Sequence, residues 1–231
     1  MKWSLQAFLS AALLFLAAAN LSPAWAGNDE VARLETATAV LREISNIPEQ
    51  GIPPALLHNA QGIAVIPNVV KVGFIVGGRF GRGVLIVRRS DGTWSAPAFV
   101  TIKGGSVGWQ IGAESTDVVL VFKTKRSIEG LIHGTFTLGA SASVAAGPVG
   151  RQAAAATNAQ LKAEIYSYSR SRGLFAGVAL DGSAIDIDKT ADTAFYGKPI
   201  SAAEIFHGKK LPLPPAAAEF RKEVERSEHG G

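Results

Sequence analysis

Short runs of β-branched and other apolar residues alternate with glycines between residues 62 and 122, and this pattern constrains the fold more than any other feature. Ile63–Ile66 and Val84–Val87 have the composition of strands. Val118–Phe122 is continuously apolar, which is typical of a strand buried on both faces. The sequence therefore predicts a β core with many strands.

Glycines occupy one face of the strand predicted over Val107–Gly112. Its residues alternate with period two, so that Gly108 and Gly112 share one face while Trp109 and Ile111 share the other. A strand face made of glycines indicates that another backbone, a helix or a ligand comes close there. We therefore expect a closely packed, glycine-rich core.

Turn signals separate the other β segments. Ser90–Gly92 and Asp181–Gly182 are typical of hairpin turns. The segment 140–159 is rich in Ala, Ser and Gly but lacks the polarity of a linker, so we expect packed structure there. Further strands are predicted over residues 98–102, 135–144, 164–168, 174–180 and 184–188.

Helical patterns lie on both sides of the β segments. Asn28 can cap a helix over 28–47, whose apolar residues recur at helical spacing until Pro48 ends it. The chain therefore predicts an α+β fold with one domain, in which short helices pack at the N- and C-terminal ends of a many-stranded, Gly-rich antiparallel β core. Other helices are predicted over residues 53–62, 126–132, 204–207 and 215–226.

The N-terminal 26 residues have the pattern of a secretory signal. Lys2 precedes an apolar stretch over 7–19, and Ala24-Trp25-Ala26 suits signal peptidase. The alternative is a membrane anchor, but the uninterrupted apolar run is shorter than the about 20 residues of a spanning helix. We expect cleavage between Ala26 and Gly27, a mature domain over 27–231, and a periplasmic or extracellular location, peripheral to a membrane.

Catalytic and metal-binding patterns are weak. Gly104–Gly108 matches G-x-S-x-G, the nucleophile elbow, but that motif needs a helix after its serine and here a strand is predicted. The four histidines are scattered, and the absence of cysteine excludes thiolate ligands. Asp186 and Asp188 alternate with isoleucines, which favours a solvent-facing strand over a calcium site. We expect no enzyme activity, no catalytic residue, no metal and no cofactor.

Basic residues provide the remaining candidates for function. The net charge is +4, and the sequence contains no block of like charge, so we expect no nucleic-acid partner. Gly77–Gly83 is interpreted as a Gly-rich hairpin loop, either solvated and without function or presenting two arginines and a phenylalanine to a lipid headgroup. The candidate lipid contacts are Arg79, Phe80, Arg82, Arg88 and Arg89, with Lys123, Lys125 and Arg126 as a second group.

The order of several motifs resembles the SYLF-domain family over residues 30–207. The most distinctive stretch is Gly104–Gly112, with Asp117–Phe122 close behind. The resemblance implies a non-catalytic domain that binds phospholipids, phosphoinositides in eukaryotic members, in some members with actin binding. The supporting motifs, in chain order, are residues 62–67, 83–86, 94–99, 145–151, 173–177 and 196–197.

These observations predict an exported phospholipid-binding protein that engages anionic headgroups through basic clusters on a β-rich domain. The partner would be anionic phospholipid or a membrane surface, and for an exported protein we do not expect actin. The alternative is an envelope structural or scaffold protein that binds a protein partner instead of lipid. A hydrolase that uses Ser106 ranks last.

Overall fold

Two long strands form one antiparallel ribbon. β1 (Gly62–Val87) pairs with β2 (Ala98–Phe122), from Gly62 opposite Phe122 to Leu85 opposite Ala98. The strands predicted separately between residues 62 and 122 are therefore parts of one ribbon. This computed structural model describes residues 27–45, 51–134, 136–148, 162–171, 174–177, 180–208 and 211–229, without the side chains of 73–76, 106–114, 171 and 174–177.

The ribbon curls back until the two ends of β1 meet. A strand rises about 3.3 Å per residue, so β1 fully extended would span about 85 Å. Instead, the Arg88 N–H donates to the Gln61 carbonyl oxygen at 2.8 Å. Gly83 permits this curvature, because a Cβ there would lie 2.3 Å from the Val65 carbonyl oxygen. Glycine is thus required where the strand packs against itself.

A β-bulge at Asn68 changes which residues of β1 face outward. Asn68 has a φ of 51°, in the left-handed region that Asn tolerates, and the register shifts between Ile66 and Val69. Ile66 and Val69 are both buried in the same core. Val70 consequently emerges on the opposite face, where its side chain is exposed.

The two halves of β2 hold the smaller strands. β5 (Ile165–Ser171) pairs antiparallel with the C-terminal half of β2, and β7 (Ala184–Ile187) with the N-terminal half. β3 (Phe136–Thr137) pairs with β7, and β6 (Leu174–Gly177) with β5. β4 (Val144–Ala146) runs parallel to β5, so the seven-stranded sheet is mixed, whereas the sequence predicted an antiparallel one.

Six helices are found among the described residues, and they cover both faces of the curled sheet. The first core lies beneath α1, α2 and α6, against sheet residues such as Val84 and Phe99. The second core lies beneath α3 and α5, against sheet residues such as Ile66 and Ile102. The helices are α1 (Asn28–Ser45), α2 (Pro54–His58), α3 (Lys125–His133), α4 (Lys189–Tyr196), α5 (Ala202–His207) and α6 (Pro215–Glu228).

The α+β class and several boundaries agree with the sequence prediction. α1 begins at Asn28 as expected, while residues 46 and 47 of the predicted helix lie outside the described residues. The turn between β1 and β2 is placed correctly, with Gly92 at a φ of 83°. Val118–Phe122 is buried throughout. The predicted signal segment, residues 1–26, lies outside the described residues.

Three local predictions are wrong. Gly77–Gly83 is not a hairpin loop but part of β1, in which Gly81 and Gly83 serve close packing and not a turn. The strand predicted over 135–144 is broken by a turn in which Gly139 has a φ of 85°. Finally, α4 was not predicted, although Asp188 caps its N-terminus and Gly197 ends it in the left-handed conformation.

Candidate functional site

Apolar and cationic side chains project from an uncovered part of the β1–β2 ribbon. Phe80 is 44% exposed, Val70 40% and Val72 55%. Arg82 lies two residues from Phe80 on the same face of β1, and its guanidinium carbon is 5.8 Å from the Phe80 ring centroid. We call Val70, Val72, Phe80, Arg82 and Lys103 the outer patch.

Lys103 belongs to this patch because it lies directly opposite Phe80 in the ladder. Its side chain is 60% exposed, and its Nζ is 4.0 Å from an Asp186 carboxylate oxygen. An ion pair this long and exposed contributes little, so the ammonium group remains available to another anion. The sequence prediction missed Lys103, and a search for the cross-strand neighbour of Phe80 would have found it.

The face of β1 that carries the outer patch is covered by the first core further along the strand. Val84 and Ile86 have the same orientation as Arg82 but are buried in the first core, beneath the helices. Gly78 and Gly105 pair with each other beyond Phe80, and a Cβ at either would have nothing within 4 Å. The ribbon therefore presents both side chains and bare backbone to its surroundings.

Arg79 lies on the other face and is separated from the outer patch. Its Nη1 donates to the Ser183 hydroxyl at 3.3 Å, and burial lowers the pKa of its guanidinium. The sequence prediction grouped Arg79 with Phe80 and Arg82 because it placed all three in a hairpin loop. In a strand, neighbouring residues point to opposite faces, so the group divides.

The side chain of Arg88 holds neighbouring elements of the fold together. Its guanidinium carbon lies 4.3 Å from the Trp94 ring centroid, and its Nε donates to the Ala60 carbonyl oxygen at 2.8 Å. Nη2 donates to the His58 carbonyl oxygen and forms a close ion pair with Glu228. These contacts tie the end of β1 to α2 and α6, leaving few N–H groups for a ligand.

A second feature is a cleft of ≈ 240 Å³ that brings residues from separate basic clusters together. Arg88 and Arg89 reach it from the end of β1, and Lys125 from the first turn of α3. The rest of the lining includes Glu129 and His207. We call this feature the basic cleft. Of the remaining candidates, Lys123 places its Nζ 5.8 Å from the Tyr166 ring centroid, and Arg126 is exposed on α3.

A buried polar cluster lies beneath α1 and was not predicted. Asp192 is fully buried and accepts a hydrogen bond from the Phe99 N–H at 2.8 Å, while its other carboxylate oxygen has no partner among the described residues. Burial raises the pKa of Asp192 to about 7. Arg33 and Asp188 form a 3.6 Å ion pair beside it. The predicted solvent-facing role of Asp188 is thereby wrong, since it caps α4 and pairs with α1.

The structure locates the serine of the G-x-S-x-G match and shows how the acidic and histidine side chains are distributed. The backbone of Ser106 pairs with Gly77 inside β2, so a strand follows the serine as predicted, while its side chain lies outside the described residues. Among the residues that the structure describes, no three acidic or histidine side chains converge as metal ligands would. None of the described helices is long and apolar enough to cross a membrane.

Comparison with known proteins identifies relatives for most of the chain. Residues 103–227 match the family model described as "Ysc84: Las17-binding protein actin regulator". The chain is 42% identical over 176 residues to LAS seventeen-binding protein 3 of Saccharomyces cerevisiae, which covers 75% of this chain and 38% of that protein. It is 36% identical over 190 residues to SH3 domain-containing YSC84-like protein 1 of Homo sapiens, covering 80% and 55% of the two chains.

These names correct one prediction. The expectation that actin is not a partner is wrong, because the matched family is described as an actin regulator and the yeast relative is named for binding Las17. The chain spans only 38% to 55% of the length of the relatives described above.

Proposed function

This chain belongs to the Ysc84 family, which contains the SYLF domain, and we propose that it is an exported, non-catalytic protein that docks on anionic phospholipid through its outer patch. The observation that carries the proposal is the exposed Phe80 ring beside the Arg82 guanidinium. The names of the relatives describe binding and regulation, which agrees with a role outside catalysis.

The chemistry of the outer patch suits the boundary between headgroups and acyl chains. An aromatic ring and two valines can enter the apolar side of that boundary, while a guanidinium binds phosphate with two parallel hydrogen bonds. Each cation near an anionic leaflet contributes about 1 kcal/mol. Arg82 and Lys103 supply two such charges on the face that carries Phe80, while Val70 and Val72 are exposed nearer the start of β1.

Vesicle flotation tests the proposal. The purified protein is mixed with phosphatidylcholine vesicles, with or without phosphatidylglycerol, at low and at high salt. We expect it to float only with the anionic vesicles and to dissociate as salt rises, because exposed charges are screened. A protein that stays unbound in every mixture would contradict the proposal.

A second candidate function is binding to actin or to a regulator of actin assembly. The family description and the name of the yeast relative favour it. Those relatives are much longer than this chain and share one domain with it. Co-sedimentation of this chain with filamentous actin tests whether the shared domain is sufficient for actin binding. Pelleting with filaments that saturates at a fixed ratio of protein to actin as the protein concentration rises would support this function.

A further inference from the structure

The basic cleft has the composition of a binding site for a phosphate group. Its apolar floor is made of Val87, Ile128 and Phe206, which are buried members of the second core. Its rim carries Arg89, two residues after the end of β1, together with Lys125 and the acidic Glu129 from α3. Two cations on separate elements thus reach one concave site with a rigid base.

The charges of this cleft are only partly compensated. Arg88 is neutralised by Glu228. In contrast, neither Arg89 nor Lys125 forms an ion pair with any residue in the part of the chain that the structure describes. Arg89 donates from Nη2 to the Gly208 carbonyl oxygen, a bond that fixes the guanidinium and leaves its other N–H groups for a ligand.

The position of Lys125 is unfavourable for the helix that carries it. It is the first residue of α3, and the first turn of that helix contains no acidic residue. The helix dipole favours negative charge at this end, so a cation there costs stability. A bound anion would offset this cost and the repulsion between Lys125 and Arg89.

We propose that the basic cleft binds a phosphate monoester, with Arg89 and Lys125 as its principal contacts. A guanidinium and an ammonium group together match a doubly charged phosphate. The volume of ≈ 240 Å³ is below the about 300–1,000 Å³ typical of small-molecule sites, so it suits a phosphate with a small attached group and not an acyl chain. The phosphate can belong to a lipid headgroup or to a soluble molecule.

This site is separate from the outer patch. Val87 belongs to the second core, whereas Arg82 has the orientation of Val84 and Ile86, which belong to the first. The cleft and the patch therefore open on opposite faces of β1. The inference does not depend on membrane docking by the outer patch, and a ligand without any lipid can test it.

Titration with glycerol 3-phosphate, a small soluble phosphate monoester, followed by calorimetry and by the shift in melting temperature, measures the site in the absence of membranes. We expect saturable binding to the unmodified protein, weakened at least tenfold in the double variant Arg89→Gln/Lys125→Gln. The control is Lys198→Gln/Lys222→Gln, which removes the same charge from two exposed positions outside the cleft. Circular dichroism verifies that each variant is folded.

Vesicles distinguish the two sources of phosphate. Phosphatidic acid carries a monoester and phosphatidylglycerol a diester, and the two are compared at equal surface charge. A preference for phosphatidic acid that disappears in Arg89→Gln/Lys125→Gln assigns the site to a lipid headgroup, while glycerol 3-phosphate binding without that preference assigns it to a soluble phosphate. Absence of both kinds of binding, or equal losses in the control variant, would overturn the proposal.

Discussion

Asp117 and Arg170 lie directly opposite each other on β2 and β5, and their ion pair also anchors the bulge of β1. One carboxylate oxygen of Asp117 accepts from Arg170 Nε at 3.1 Å and Nη2 at 2.8 Å. The other accepts from the Asn68 N–H at 3.0 Å. Because the bulge turns Val70 outward, this carboxylate connects the sheet interior to the outer patch.

Replacement of Asp117, whose side chain is only 12% exposed, should therefore destabilise the fold. We expect Asp117→Ala to lower the free energy of unfolding by about 2–3 kcal/mol, since it removes the less exposed of the two carboxylates that pair with Arg170 and leaves the Asn68 N–H without its acceptor. Urea unfolding measures this loss. The matched control is Glu43→Ala, which removes the other, 56% exposed carboxylate partner of Arg170 and should cost below about 1 kcal/mol. Equal losses would contradict the anchoring role.

The curvature of β1 predicts opposite outcomes for two glycines of the same strand. A Cβ at Gly83 would meet backbone atoms of Val65 and Ile66, at 2.3 and 2.7 Å, so Gly83→Ala should cost about 3 kcal/mol. A Cβ at Gly78 would meet nothing within 4 Å, so Gly78→Ala should change stability by under about 0.5 kcal/mol. Chemical denaturation of both variants makes the comparison, and a harmless Gly83→Ala would show that the strand does not pack on itself.

The sequence was informative where one local signal determined one element. Asn28 marked the start of α1, and the period-two alternation around Trp109 indicated a strand. Prediction from the sequence failed where the role of a residue depends on contacts with distant parts of the chain. The glycines of 77–83 suggest a turn, and only the return of β1 onto Val65 explains Gly83. Arg88 and Lys125 also looked like separate clusters, because the cleft between them depends on tertiary contacts 37 positions apart in the chain.

The buried carboxyl of Asp192 predicts that stability depends on pH. An ordinary Asp has a pKa of 3.8, whereas burial raises the pKa of Asp192 to about 7 in the folded state. The unfolded chain therefore ionises first, and stability is lost as pH rises from about 4 to 7, by up to about 4 kcal/mol. Asp188, Arg33 and Tyr196 are the charged and titratable groups that interact with it.

Asp192→Asn checks this prediction, because its amide oxygen can still accept from the Phe99 N–H. We expect the variant to match the unmodified protein at about pH 3.5, below the pKa of an ordinary Asp, and to exceed its stability by a margin that grows as pH rises to about 7. Thermal unfolding across this range provides the measurement. A variant that retains the full pH dependence would show that another group causes it.

Arg88 is expected to contribute to stability and not to ligand binding. A lysine cannot reproduce its planar contacts with Ala60, His58 and Glu228, so Arg88→Lys should lower the free energy of unfolding by about 2 kcal/mol. At a temperature where the variant remains folded, its affinity for anionic vesicles should equal that of the unmodified protein. Weaker vesicle binding by a fully folded variant would contradict this assignment.

The most direct test of the central claim is vesicle flotation of the double variant Phe80→Ala/Arg82→Glu, with Lys222→Glu at an exposed position of α6 as the control. The charge reversal alone removes about 2 kcal/mol, which corresponds to roughly 30-fold weaker binding to phosphatidylglycerol vesicles at low salt. The account predicts at least this loss in the double variant and a small change in the control. Unchanged binding by the double variant would contradict docking through the outer patch.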